Sequence, residues 1–282
     1  MQVVECRGKF FMIDCGEGAQ IQLRRSSLSF NKLSHIFISH LHGDHCFGLI
    51  GLISTFGLLG RTGTLHVHAP KELEPMLNAQ LDMFFNYDIG YKVEFHAVDT
   101  TKHQVVFEDR SLQVESIPLE HRMPCCGYLF REKQSQPHIR PEMLEVYGIP
   151  VSQVNNIKAG ADYTLPDGRV ISHEQLTIPA SAPRAYAYCS DTRYMPRLHE
   201  QLQGVNTLYH EATYASDRID NALKYYHSTA EQAAMVARDA HVSQLVLGHY
   251  SARYEDETIL LKEAQAVFPN VRLSNEKDVI DV

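Results

Sequence analysis

The run Ser39-His40-Leu41-His42-Gly43-Asp44-His45 places three imidazoles and a carboxylate within six positions. It directly follows Ile36-Phe37-Ile38, an apolar stretch that reads as a strand, so the cluster belongs to a loop at a strand end. In extended backbone His40 and His42 project to the same side. Gly43 allows a tight turn that aims Asp44 and His45 at a second point nearby. Neutral imidazoles and a carboxylate suit zinc or a similar borderline divalent ion. A lone histidine would carry no such reading, but four ligands at this density read as a metal site.

Six residues cannot complete two coordination spheres, so further ligands must come from other strand ends. Three candidates repeat the arrangement. His121 stands in Glu120-His121-Arg122 after the apolar run 112–119, Asp191 in Ser190-Asp191-Thr192 after 185–189, and His249 in Gly248-His249-Tyr250-Ser251 after 245–248. The chain is rich in the relevant residue, with 16 histidines against 12 phenylalanines.

The elements that must position these groups are legible as short β-rich runs at 9–14, 36–39, 65–68, 92–95, 112–117, 185–189, 208–210 and 245–248. Apolar residues at three-to-four spacing predict helices over 71–85 and 255–267. Ser228-Thr229-Ala230-Glu231 fits a capping box opening a helix whose apolar side is Ala233, Ala234, Val236, Ala237 and Ala240. Strands followed by helices in both halves predict an α/β sandwich with outer helices. The stretch 131–183 differs: it carries six prolines, weak periodicity, and the cations Arg131, Lys133, Arg140, Lys158 and Arg169. Such an insertion into a compact domain reads as a functional arm.

Composition narrows the class. With 282 residues, 44% hydrophobic and 21% charged, the chain is an ordinary globular sequence and not a fibrous, disordered or coiled-coil one. A net charge of −8 argues against nucleic-acid binding by bulk charge, though not by a local basic patch. The longest uncharged stretch, 46–60, is shorter than the ~20 residues a membrane span needs. Glu5, Arg7 and Lys9 interrupt any apolar leader, and the six cysteines form no CxxC pair. The expectation is a cytoplasmic protein with reduced thiols and no membrane association.

His40-Leu41-His42-Gly43-Asp44-His45 with His121, Asp191 and His249 resembles the metallo-β-lactamase fold. Within it, the segment Phe11-Met12-Ile13-Asp14-Cys15-Gly16-Glu17-Gly18-Ala19-Gln20, the Leu23-Arg24-Arg25 triplet, His210-Glu211-Ala212-Thr213 and His227-Ser228-Thr229 resemble ribonuclease Z, the tRNA 3′-processing endoribonuclease, in its short form. The His-Glu-Ala-Thr and His-Ser-Thr segments are the specific part. The resemblance spans 1–282 as one metallo-β-lactamase-like domain, an αββα sandwich with a protruding arm at 131–183.

It implies one ion on His40, His42, His121 and Asp191, and a second on Asp44, His45, Asp191 and His249, with Asp191 bridging. Zinc is the expected metal, two ions per subunit, with manganese or iron as the alternatives. Asp44 is implied to orient or deprotonate the attacking water, and Glu211 with His227 to protonate the leaving oxygen. Precursor tRNA is the implied substrate, held by arm residues such as Lys133, Arg140 and Lys158, and the implied assembly is a homodimer. Two departures stand out. The family's first hairpin, with its Gly-Thr-Gly loop, is missing before Gln2-Val3-Val4, and the arm region 148–160 lacks the Gly-Pro element.

The alternative reading is a small-ester hydrolase of the same fold, an arylsulfatase or phosphodiesterase; a metal-bound RNA-binding protein without turnover is the third. Cys46 is expected to be a packing residue. His66 and His68 alternate in a strand and are expected to face outward or bond locally. His35, His96, His103, His138, His173, His199 and His241 show no convergent spacing.

Overall fold

A computed structural model describes residues 1–86 and 88–282. The chain divides into two compact units, Met1–Arg131 with Arg184–Val282, and Glu132–Pro183.

In the larger unit, a first sheet is built from β1 (Gln2–Cys6), β2 (Lys9–Ile13), β3 (Leu33–Phe37), β4 (Leu65–Pro70) and β5 (Val93–Val98), in that spatial order. β1 and β2 form an antiparallel hairpin; the remaining neighbours are parallel. Parallel neighbours need crossovers, and these carry α1 (Ala19–Arg25), α2 (Gly43–Cys46), α3 (Leu49–Leu58) and α4 (Leu73–Phe85). Alternation along the strands separates two faces. Met12, Ile36 and Val67 pack with Leu23, Leu52, Phe56 and Leu77 of the helices. Phe11, Ile13 and Phe37 turn the other way and meet Val114, Tyr128 and Phe130 of the next sheet.

That second sheet begins with β6 (Gln104–Glu108), β7 (Leu112–Leu119) and β8 (Cys125–Glu132), after which the chain enters the smaller unit. There β9 (His138–Ile139), α5 (Pro141–Tyr147), α6 (Val154–Lys158), β10 (Tyr163–Thr164), β11 (Val170–Ile171), α7 (His173–Leu176) and β12 (Thr177–Ile178) surround a small core of Ile149, Ile157, Leu165, Ile171 and Leu176. The two-residue strands pair as β9 with β12 and β10 with β11.

Back in the larger unit come β13 (Ala185–Cys189), β14 (Thr207–Glu211), α8 (Ile219–Tyr225), α9 (Ala230–Asp239), β15 (Gln244–Gly248), α10 (Thr258–Val267) and β16 (Val271–Leu273). They complete a seven-stranded sheet in the order β16-β15-β14-β13-β8-β7-β6. Its outer face packs Leu208, Leu245 and Leu247 against Ala233, Ala234 and Ala237 of α9 and Leu260 and Ala264 of α10. Two sheets face to face with helices on both outer surfaces make this unit an αββα sandwich. All six cysteines are buried, Cys46 among them as a packing residue. No helix among the described residues is long and apolar enough to cross a membrane.

One sequence expectation fails here. The capping box of α9 forms one residue later than expected: the Thr229 hydroxyl accepts from the Gln232 N–H, and the Gln232 side chain accepts from the Thr229 N–H. Ser228 is committed elsewhere, its N–H donating to Glu211 and its hydroxyl to the Thr192 carbonyl. Gly43 opens the single turn of α2, where an added Cβ would stand 2.5 Å from the Phe47 ring. Of the two outcomes expected for His66 and His68, the structure has local bonding, His66 Nδ1 lying 2.9 Å from His96 Nε2 and His68 Nε2 3.0 Å from His35 Nδ1. Strand register puts His35 beside His66 and His68 beside His96, on the face turned toward the second sheet, and each pair stacks with ring centroids 4.6 Å apart.

Candidate active site

The ligand cluster sits where strands of both sheets end. His40 follows β3, His121 follows β7, Asp191 follows β13 and His249 follows β15. Two of these turn abruptly: Asp191 has φ 57° and His249 φ 58°, left-handed values that cost a non-glycine residue roughly 1–2 kcal/mol each. Such strain at strand tips points to a constrained functional geometry. The loop carrying His40 to His45 is held by close backbone contact: a Cβ on Gly16 would fall 2.0 Å from the Asp44 carbonyl oxygen, and one on Gly48 1.8 Å from that of Gly16. Only glycine fits at either position.

Two coordination spheres emerge. His40 Nε2 lies 3.0 Å from His42 Nδ1, which lies 3.3 Å from His121 Nε2; Asp191 Oδ2 stands 3.7 and 3.9 Å from His40 and His121. His45 Nε2 lies 3.4 Å from both Asp44 Oδ2 and Asp191 Oδ1, and His249 Nε2 lies 3.2 Å from the same Asp191 oxygen. Ligands ~2.0–2.1 Å from a tetrahedral ion are spaced about 3.3 Å from one another, so both sets fit a zinc-sized dication. Asp191 offers one oxygen to each set, the arrangement of a bridging carboxylate.

The far side of four of the five rings is held as well. Ser39 Oγ meets His40 Nδ1 at 3.0 Å, Asp14 Oδ2 meets His45 Nδ1 at 2.8 Å, the Tyr226 carbonyl oxygen meets His121 Nδ1 at 3.0 Å, and Thr213 Oγ1 meets His249 Nδ1 at 2.9 Å. Such outer partners orient metal-binding imidazoles. The sequence reading missed all four. Asp14, Ser39 and Thr213 were within reach, since all three stand inside the quoted motifs, but the Tyr226 carbonyl had no signal of its own.

Burial and the charge of His45 push His40 down to about 2, leaving it a neutral lone-pair donor. Burial also lowers His121. His45 behaves oppositely: burial works against its charge, but the hydrogen bond to Asp14 and that carboxylate's charge raise it to about 9.

Next to the spheres, His227 Nδ1 lies 2.9 Å from Glu211 Oε1. Glu211 is fully buried, and it also accepts from the Thr192 N–H at 2.6 Å, the Ser228 N–H at 3.0 Å and the Thr213 hydroxyl at 2.6 Å. Burial opposes its charge, but the His227 hydrogen bond and charge keep its carboxyl low; in return Glu211 raises His227 against the effect of burial. The pair therefore favours imidazolium above carboxylate. His227, Asp44, Asp191 and His249 line one cleft of about 350 Å³, whose walls include Arg122, Tyr225 and Arg253, residues unassigned from sequence.

Lys133, Arg140 and Lys158 belong to the smaller unit and are half-buried. Arg140 spends its Nε on the Thr177 carbonyl at 3.1 Å, so part of that guanidinium fastens its own unit.

A family model described as Anti-Pycsar protein Apyc1 matches residues 2–136. Ribonuclease Z of Bacteroides fragilis strain YCH46 is 59% identical over 275 residues, which cover 98% of this chain and 90% of the relative. Ribonuclease Z of Bacteroides thetaiotaomicron is 55% identical over 281 residues, covering 100% of this chain and 89% of the relative. Among solved structures, human tRNase Z, short form, aligns with a TM-score of 0.68 at 24% identity, covering 99% of this chain and 90% of that one. The metallo-β-lactamase fold protein YhfI from Bacillus subtilis aligns with a TM-score of 0.63 at 16% identity, covering 97% and 88%. Identity above half over nearly the whole length, together with the shared fold, settles the affiliation: this chain belongs to the ribonuclease Z family.

Proposed function

We propose that this protein is a metal-dependent endoribonuclease that removes the 3′ trailer from precursor tRNA, leaving a tRNA 3′-hydroxyl and a trailer 5′-phosphate. The observation that carries the reading is His227, 2.9 Å from the buried Glu211 and lining the same cleft as His42, Asp44, His121, Asp191 and His249, in a chain 59% identical to a ribonuclease Z. Two ions are proposed, on His40, His42, His121 and Asp191, and on Asp44, His45, Asp191 and His249. When bound, such a pair supplies charge neutralisation of the phosphate and activation of water at neutral pH. Zinc fits the nitrogen-rich donor set better than magnesium or calcium.

The chain's own residues do the rest. Asp44, whose side chain is 69% exposed, is free to reach a water in the cleft and take its proton. As oxygen attacks phosphorus, the bond from phosphorus to the ribose 3′ oxygen breaks. His227, held protonated by Glu211, gives its proton to that departing oxygen. Thr213 ties the two halves together, donating to Glu211 while meeting His249 Nδ1. Arg122 and Arg253 on the cleft wall are suited to phosphate, and Tyr225 offers a ring on which an unpaired base can stack.

The unit Glu132–Pro183 is proposed as the arm that grips tRNA, on the strength of its cations and its separate core. A homodimer is the proposed assembly. The helical layer over the first sheet supports it with large exposed apolar side chains, among them Ile21 on α1, Leu58 on α3, and Met83 and Phe84 on α4. A cytoplasmic location is proposed from the six buried cysteines and the substrate class.

The test is incubation of zinc-loaded protein with end-labelled precursor tRNA and mapping of the cut. Cleavage immediately after the discriminator nucleotide, lost in Asp44→Ala, is expected. Hydrolysis of small phosphodiesters without trailer removal would instead make it a small-ester hydrolase.

A further inference from the structure

We propose that His66, His96 and Glu94 form a second, separate divalent-metal site on the first sheet, of the zinc class, with an open position for water. The argument begins with register. His66 pairs with Glu94 and His68 with His96 across β4 and β5, so the three ligands share one face of neighbouring strands. His66 Nδ1 and His96 Nε2 lie 2.9 Å apart, and Glu94 Oε1 is 3.7 Å from that same His96 nitrogen. These spacings match the edges of a tetrahedral site, and two imidazoles with one carboxylate are a donor set for zinc. Lys92 holds the other Glu94 oxygen at 2.7 Å, leaving Oε1 turned to the histidines.

The layer behind the ligands supports the reading. His35 Nδ1 and His68 Nε2 lie 3.0 Å apart, and their rings stack under His66 and His96 at 4.6 Å. His68 is 2% exposed and its Nδ1 has no hydrogen-bond partner. A stack wanted only for packing would be served by phenylalanine, as Phe37 serves beside His68, without stranding a buried nitrogen. His66, Glu94 and His96 are each partly exposed, so an ion can enter from solvent. β5 is the edge of its sheet, and an ion here would fasten that edge to β4.

Zinc-replete protein and the His66→Gln/His96→Gln double variant are desalted together and their zinc measured by mass spectrometry. The variant should hold one ion fewer per chain while trailer cleavage stays within about twofold; equal zinc contents overturn the proposal. Because only the difference is read, the result is independent of how many ions the catalytic cleft holds. Should the variant fold poorly, histidine-directed carbethoxylation of the wild-type protein decides. Added Zn2+ should protect His66 and His96 in the peptide map, and unchanged reactivity there overturns the site.

Discussion

Asp14→Asn tests how the buried carboxylate behind the cleft controls metal affinity. Asp14 is fully buried and accepts from the Ser39 N–H at 2.8 Å, the Ser39 hydroxyl at 3.0 Å and the Tyr188 hydroxyl at 2.8 Å, and pairs with His45 Nδ1 at 2.8 Å. An asparagine that keeps its oxygen toward the Ser39 N–H must turn its NH2 toward His45. That drives the ring hydrogen onto Nε2, the atom facing Asp44 and Asp191. The reversed amide sets two donors against each other at Ser39 instead. Loss of such an outer partner costs about 10–100-fold in metal affinity. The free energy of the pair can be read twice. Burial opposes the Asp14 charge, yet His45 holds it at about 2 against an ordinary 3.8, and His45 rises to about 9 from 6.5. Both express one interaction, worth about 2–3 kcal/mol in the metal-free protein.

The two shifts fix the pH window. The depressed Asp14 stabilises fully above about pH 3.8 and loses its effect as pH falls toward 2. The raised His45 stabilises fully below about pH 6.5 and loses its effect as pH rises toward 9. Urea unfolding of chelator-treated protein should show the Asp14→Asn deficit at its largest between these limits and shrinking toward pH 9. Competition with a chromophoric zinc chelator should show one of two ions weakened. Undiminished affinity for both, with a deficit flat in pH, refutes the tautomer argument.

Three further outcomes follow from the same geometry. Glu211→Gln removes the charge that raises His227, so the alkaline limb of the cleavage profile should move to lower pH and the rate fall about 10²–10⁴-fold; an unmoved limb assigns His227 no acid role. Because His45 is protonated at neutral pH in the metal-free protein, zinc uptake at pH 7 should release a proton, and calorimetry in buffers of different ionisation enthalpy that finds none contradicts its placement as a ligand. Arg131 and Ala185 are paired across β8 and β13, so a two-residue turn can replace 132–184; that deletion should abolish trailer cleavage and flatten the salt dependence of tRNA binding while hydrolysis of a small phosphodiester persists.

What the sequence made legible follows from locality. His40, His42, Asp44 and His45 crowd one loop, and Asp191 and His249 each follow an apolar run that is in fact β13 or β15. Relations across strands were not legible. The stack of His35, His66, His68 and His96 depends on the register of β3, β4 and β5, which no spacing along the chain reveals. Competition for partners explains the displaced capping box, because Ser228 was already bonded to Glu211 and Thr192. The strands β1, β6 and β8 went unread, though β8 carries the buried Cys125-Cys126 pair in the middle of the second sheet.

Asp14, Asp191 and His249 all sit at left-handed corners directly beyond a strand, with φ between 57° and 58°. Backbone geometry alone sets where these residues point, and the glycines at 16 and 48 leave the intervening loop no room to shift.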